Sequence, residues 1–302
     1  MSLADRPAAG LYVAAWGLGG FGLAALIVGF ASGPPARGFL IMGGLVALIL
    51  GLATAAGQQL VARRARPAEQ YHGPAPLILF FLHVVLVNAV GVILFALGIP
   101  LGDSPVGFLV AAVLLLAGYL VVVWLFVVRA APLDASRAAL DIAIGGATML
   151  GVALVAGIVG TLIAGLLGTE APQVVPPAQT SFDVLLTALA AGILVPIGEE
   201  VFFRGYAVTA WLRDLGPRSA LIRATVLFAL VHVFNITAST FADGAKQALL
   251  EVAVIAPVGL ALAWLYLRRG LLASIAGHAA YNLLLVLVIV LPQLVPAPGS
   301  GG

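Results

Sequence analysis

Seven side chains in the C-terminal part of the sequence have types and spacing that could carry chemistry. They form three groups: Glu199, Glu200 and Arg204 in GEEVFFRGYAV, Phe228 and His232 in LFALVHVFN, and His278 and Asn282 in GHAAYNLL. Each group contains a pair four residues apart, which a helix places on one face. A carboxylate, two imidazoles and a carboxamide are the parts of a water-activating hydrolase. Carboxylate or imidazole can take a proton from water, and imidazole and amide N–H groups can hold an oxyanion.

The two glutamates are expected to differ in role. Glu200 and Arg204 are neighbours at i and i+4 on a helix and can pair. Glu199 points about 100° away from Glu200 and cannot share that partner well. One carboxylate is therefore expected to be neutralised structurally, and the other is left for chemistry. The alternative is that both glutamates belong to an ion-pair cluster at a helix end.

The histidine groups also allow structural interpretations. A single histidine in an apolar helix, such as His232, is usually a packed residue bonded to a backbone carbonyl. His278 and Asn282 could be an ordinary hydrogen-bonding pair between membrane helices. The hydrolase interpretation depends on the three groups meeting at one depth of one membrane protein.

The composition predicts an integral membrane protein. Of the 302 residues 63% are hydrophobic and 9% are charged, and the mean hydropathy is +1.18. A soluble domain carries roughly a quarter charged residues. The chain has no cysteine, which excludes disulfides, cysteine nucleophiles and thiolate metal sites. The expected surroundings are the lipid bilayer, and no nucleic-acid partner is expected.

We predict that a polytopic all-α bundle of about eight or nine transmembrane helices positions the three groups. The number of helices follows from the apolar stretches of the sequence, since a helix needs about 20 apolar residues to cross a bilayer. Nine stretches qualify: 11–30, 39–61, 77–99, 106–128, 139–168, 183–204, 221–238, 247–267 and 271–293. The first is interpreted as a retained anchor. The fifth is long enough to tilt, or to break near Gly145 and Gly146.

The basic residues predict the orientation of this bundle. If loops alternate sides, all but two of the 14 Lys and Arg residues, namely Arg37 and Lys246, fall on one side. The positive-inside rule makes that side cytoplasmic, with the N-terminus inside, and a plasma (inner) membrane is expected. At 1.5 Å per residue, His232 and His278 then lie roughly 10–17 Å deep, and Glu199 lies at or below the same cytoplasmic surface.

The ordered motifs EExxxR, FxxxH and HxxxN, carried by the seven residues above, resemble the CPBP family of intramembrane proteases. That family includes the CAAX prenyl endopeptidase and bacteriocin-processing and immunity proteins. The resemblance covers about residues 180–292. We therefore expect a catalytic membrane core over residues 176–302, and transmembrane helices of unassigned role over residues 1–175, in one integral membrane unit.

The resemblance implies specific roles. Glu199 and His232 would activate the attacking water, His278 and Asn282 would form the oxyanion site, and Glu200 and Arg204 would position the first helix. Phe228 belongs to the FxxxH motif and is expected to support the site. Two histidines and a glutamate would also suffice for a catalytic zinc ion, but the resemblance implies a metal-free glutamate mechanism without a cofactor.

The expected function is an intramembrane endopeptidase that cuts a membrane-associated peptide or protein near the cytoplasmic face. One alternative is a non-proteolytic immunity or binding protein of the same fold, which would have no chemical need for all four catalytic residues. Another is a proton-coupled transporter, since buried Glu and His also make proton relays. Transporters tend to show two similar halves, whereas here the polar residues are concentrated in one part of the chain. The sequence does not predict an oligomeric state.

Overall fold

The computed structural model describes residues 8–33, 36–64, 76–100, 104–126, 135–233 and 240–294, and these residues contain helices without any strand. The α helices are α1 Ala9–Ala31, α2 Ala36–Arg64, α3 Pro76–Ala96, α4 Pro105–Phe126, α5 Ala138–Leu167, α6 Ser181–Leu189, α7 Val195–Glu199, α8 Thr209–Leu215, α9 Pro217–His232, α10 Phe241–Arg269 and α11 Leu271–Ile289. Two π-helical segments, Ala190–Leu194 and Glu200–Val208, join α6, α7 and α8 into one continuous helix.

The all-helical membrane class is confirmed, and the expected number of crossings is not. Within the described residues six stretches are long and apolar enough to span a bilayer: Ala36–Ala62, Pro105–Trp124, Ala135–Leu167, Ser181–Arg213, Ala242–Arg269 and Leu271–Leu294. His83–Ala96 is a shorter apolar helix. The predicted span 221–238 corresponds to α9, which has 16 residues, and its positions 234–238 lie outside the described residues. Arg6, Arg66 and Arg129, which enter the charge count, also lie outside them.

The chain forms two compact units, Met1–Val84 and Val85–Gly302, with the boundary inside α3. In the first unit α1 and α2 pack against each other at very short range. A Cβ added at Gly22 would lie 2.8 Å from the Gly44 carbonyl oxygen and from Leu48, so only glycine permits this approach. The functional division predicted at residue 175 stays a prediction.

Short local signals set the helix ends of the second unit. The Thr180 hydroxyl accepts the Asp183 backbone N–H at 3.2 Å, and the Asp183 carboxylate accepts the Thr180 backbone N–H at 2.9 Å. This capping box starts the helix that carries Glu199. Gly216 and Gly270 have φ of 79° and 92°, and they make the sharp turns before α9 and α11. Those turns return the FxxxH and HxxxN helices alongside the EExxxR helix.

Helix α11 packs against α5, α10 and the continuous helix 181–215. Its contact with α5 is backbone to backbone, because Gly145 lies directly against the Ala273 carbonyl group. Gly277 leaves room for Met149 in the same seam, where an added Cβ would be 2.7 Å from the Met149 side chain. Helix α5 is unbroken, so the break considered near Gly145 and Gly146 does not occur. Gly145 instead allows close packing on the helix that carries HxxxN.

Candidate active site

The helix 181–215 departs from α geometry on both sides of Glu199. In the first π segment the Val195 N–H donates to the Ala190 carbonyl, five residues back. In the second, the Thr209 N–H donates to the carbonyl of Arg204, also five residues back, and the Thr209 hydroxyl donates to that same carbonyl at 3.3 Å. Such segments occur frequently at functional sites. Glu199 ends the short α7 between them.

Glu200 has a full set of partners. Its side chain has 0% exposure, and Oε1 accepts hydrogen bonds from Arg204 Nη1 at 2.7 Å and from His278 Nδ1 at 2.8 Å. Oε2 accepts a short hydrogen bond from the Ser274 hydroxyl. The predicted pairing of Glu200 with Arg204 is therefore present. Ser274 was not predicted, although its spacing was a usable signal, since it precedes His278 by four residues as His278 precedes Asn282.

Arg204 is fully buried and is held from three directions. Besides the carboxylate of Glu200, the Gly259 carbonyl accepts a hydrogen bond from Nη2 at 3.3 Å. The guanidinium carbon lies 4.1 Å from the centroid of the Phe228 ring, within the range of a cation–π contact. Only Nε lacks a hydrogen-bond partner among the described residues.

Phe228 joins the three motifs. Its ring centroid lies 4.5 Å from the His232 ring and 5.8 Å from the His278 ring, and Arg204 stacks on it as described above. An added Cβ at Gly259 would be 2.9 Å from Phe228, so that glycine on α10 makes room for the ring. The aromatic ring thereby connects the EExxxR helix to both histidines.

Both histidines donate through Nδ1. His232 Nδ1 is 2.7 Å from the Phe228 carbonyl oxygen, and His278 Nδ1 is 2.8 Å from the Glu200 carboxylate. A carbonyl or a carboxylate oxygen can only accept, so each Nδ1 carries the proton of its bond. Nε2 is then the nitrogen of each ring that is available for chemistry. The carbonyl bond of His232 is the one expected for a packed histidine, and it also fixes the ring for a reaction at Nε2.

Glu199 differs sharply from its neighbour. Its side chain is 17% exposed, and its buried Oε2 has no hydrogen-bond partner among the described residues. That oxygen lies 4.0 Å from His278 Nε2, beyond hydrogen-bond distance. The His232 ring packs on the same Phe228 ring as His278. The two adjacent carboxylates thus have different environments, one completely satisfied and one with an unused oxygen beside an imidazole.

Asn282 lies one helical turn beyond His278, and its Nδ2 donates to the Ala191 carbonyl oxygen at 2.8 Å. The other six predicted residues are linked to one another by the contacts above. Within the described residues Asn282 forms no hydrogen bond, ion pair or ring contact with them, and α11 places it one turn from His278. Its bond to another helix fits the structural interpretation of the HxxxN pair, and one amide N–H is left over for a second acceptor.

No group of three or more histidine, aspartate or glutamate side chains is arranged to hold a metal ion within the described residues. At the site, the Nδ1 atoms of His232 and His278 and both oxygens of Glu200 already form hydrogen bonds. The metal-free mechanism nevertheless stays a prediction.

Residues 181–284 match the family model described as Type II CAAX prenyl endopeptidase Rce1-like. Comparisons with curated proteins and with solved structures gave no match. The matched segment starts at the first residue of α6 and contains all seven predicted site residues. It is the same part of the chain for which the EExxxR, FxxxH and HxxxN motifs predicted the CPBP resemblance. Over residues 181–284 the chain is therefore similar to Rce1-like type II CAAX prenyl endopeptidases, and this match supports the predicted resemblance to the CPBP family of membrane proteases.

Proposed function

We propose that this protein is an intramembrane endopeptidase that hydrolyses a peptide bond near the cytoplasmic face of the membrane, with water activated by Glu199 and His232. The observation that carries the proposal is the contrast between the adjacent carboxylates. Both oxygens of Glu200 accept hydrogen bonds, from Arg204, His278 and Ser274. Glu199, in contrast, keeps a buried oxygen without a hydrogen-bond partner among the described residues. A buried carboxylate without structural work in a membrane helix is a functional candidate.

In the proposed reaction, water gives a proton to Glu199 as its oxygen bonds to the carbonyl carbon of the scissile peptide. The electron pair of the carbonyl moves onto its oxygen and forms an oxyanion. When the C–N bond breaks, Glu199 returns the proton to the leaving nitrogen, so the carboxylate is regenerated. His232 Nε2 orients the water, because its Nδ1 is fixed on the Phe228 carbonyl.

The oxyanion would be held by N–H groups of His278 and Asn282. Since the Nδ1 proton of His278 is donated to Glu200, a donor at Nε2 requires the doubly protonated imidazolium. Glu200 would therefore position the ring through this hydrogen bond. Asn282 would use the N–H that the Ala191 carbonyl does not take. Removing one oxyanion donor typically costs about 10²–10³ in kcat.

The charge distribution supports access from the cytoplasm. The turns at Gly216 and Gly270 are flanked by Arg213 and Arg218 and by Arg268 and Arg269. Both turns lie on the side to which the positive-inside rule assigns the cytoplasm. The substrate would be a membrane-associated peptide or protein whose scissile bond reaches the depth of Glu199.

The function can be tested by comparing membrane-derived peptides in cells that express wild type, Glu199→Gln or Glu251→Gln. Glu251→Gln is the matched control, because it makes the same change at another half-buried carboxylate of a membrane helix. We expect a set of cleavage products to disappear with Glu199→Gln and to persist with Glu251→Gln, at equal levels of folded protein. Identical products from all three strains would refute the proposed function.

A further inference from the structure

The carbonyl group of Ala191 lacks both the donor that α geometry and the donor that π geometry would give it. In an α-helix it would accept from the Val195 N–H, but that N–H donates to Ala190. In a π-helix it would accept from residue 196, which is proline and has no N–H. A buried carbonyl at bilayer depth is costly unless another donor reaches it.

Asn282 supplies that donor from a helix 91 residues further along the chain, with Nδ2 at 2.8 Å from the Ala191 oxygen. The bond also decides how the carboxamide is oriented. If the amide were flipped, Oδ1 would face the carbonyl oxygen, and two acceptors would repel each other. The plane of the amide is therefore fixed, and its second N–H must point away from Ala191.

We propose that Pro196 is a positioning residue for Asn282, because it withholds a backbone N–H from the Ala191 carbonyl and so reserves that carbonyl for the asparagine amide. This inference rests on the proposed function, in which the second N–H of Asn282 contacts the oxyanion. It also gives a role to the first π segment, which precedes Glu199 on the same helix: this segment leaves the Ala191 carbonyl free to accept the Asn282 amide. The site thus uses one proline to orient a donor on a distant helix.

Replacing Pro196 by alanine tests the idea directly. The Pro196→Ala substitution restores a backbone N–H that can donate to the Ala191 carbonyl, or it allows the segment to relax to α geometry, in which the Val195 N–H donates to that carbonyl. In either case the asparagine must compete with a backbone donor. Pro257→Ala is the matched control, since Pro257 also lies inside a membrane helix, α10, and is not part of the site.

Side-chain NMR can measure the hydrogen bond of the Asn282 amide without any activity assay. The chain has three asparagines, Asn88, Asn235 and Asn282, so protein labelled with ¹⁵N at asparagine gives a simple spectrum in which Asn282→Asp identifies the signal of interest. In wild type we expect one Asn282 amide proton to be protected from exchange with solvent and the other to exchange faster. Pro196→Ala should increase exchange of the protected proton by about tenfold or more, and Pro257→Ala should not change it.

Two results would overturn the inference. The first is a wild-type protein in which both Asn282 protons exchange alike, and this result needs no folded variant. The second is a folded Pro196→Ala protein with unchanged exchange.

Kinetics separate the inference from the proposed function. If the protein is a peptidase, Pro196→Ala should lower kcat by about ten- to a hundredfold with little change in KM, because the misplaced donor acts only in the transition state. If wild type hydrolyses nothing while the exchange results hold, the proposed function fails and the positioning of Asn282 stands. If wild type hydrolyses peptides and Pro196→Ala changes neither kcat nor exchange, the positioning role is refuted and the function stands.

Discussion

Arg204→Ala is predicted to destabilise the protein strongly without acting on the proposed general base. The substitution removes the 2.7 Å ion pair with Glu200, the hydrogen bond to Gly259 and the contact with the Phe228 ring. Glu200 would remain at 0% exposure with only His278 and Ser274 as partners. Breaking a buried ion pair by removing one partner typically costs about 3–5 kcal/mol. We expect a loss of that size in the free energy of unfolding.

The assay is reversible unfolding of the purified protein in bicelles by SDS titration, compared among four variants. Glu199→Gln should lose less than about 1 kcal/mol, since its buried oxygen has no hydrogen-bond partner among the described residues. The double variant Glu200→Gln with Arg204→Ala should be less destabilised than the sum of its single variants, because no uncompensated charge remains. Hydrolysis should be abolished by Glu199→Gln in protein that stays folded.

Equal losses of stability in Glu199→Gln and Arg204→Ala would refute the division of roles between the glutamates. Strict additivity in the double variant would show that the ion pair is not the source of the stability. Either result would return the pair of carboxylates to a common structural role at a helix end.

Three further predictions follow from the site and the packing. Strong chelators should leave hydrolysis by the purified protein nearly unchanged, and metal analysis should find less than about one zinc per chain; stoichiometric zinc whose removal abolishes activity would contradict this. Gly145→Ala should lower the free energy of unfolding because its Cβ would collide with the Ala273 carbonyl, whereas Gly151→Ala, in the same helix with nothing within 4 Å, should be neutral or stabilising. The native chain has no cysteine, so single cysteines can be introduced and labelled with a thiol reagent that does not cross the membrane. A cysteine at Val201 should react only from the cytoplasmic side, and a cysteine at Ala242 should react only from the outer side. Labelling of both positions from the same side would refute the topology.

Much of the site could be predicted because helical periodicity is local. Glu200 and Arg204 are four positions apart, and the pair forms at 2.7 Å even though a π segment contains it. The same spacing correctly placed Phe228 against His232. Hydropathy is also a local signal, since each span must satisfy its own backbone, and six of the nine predicted stretches correspond to helices of the described residues that are long and apolar enough to cross a bilayer.

What could not be predicted depends on contacts between distant segments. Nothing local in AAGILVP required a π segment, although Pro196 showed that one backbone donor would be absent. Whether the orphaned carbonyl of Ala191 is tolerated depends on Asn282, which is 91 residues away. Gly145 could equally have marked a break in α5, and only its approach to Ala273 shows that it serves packing. The number of crossings depends on helices of intermediate length such as α9, for which hydropathy alone gives no clear limit.

The arrangement explains why two glutamates can stand side by side in an apolar helix. An unpaired pair of carboxylates at this depth would carry two costs, desolvation and mutual repulsion. Arg204 matches the charge of Glu200, and His278 and Ser274 satisfy its remaining acceptor sites. Glu199 therefore adjoins a balanced group instead of an uncompensated charge, while its own oxygen stays unbound beside His278. Because Glu200 and Arg204 neutralise each other, Glu199 keeps an oxygen without a hydrogen-bond partner among the described residues, as its proposed role as the general base requires.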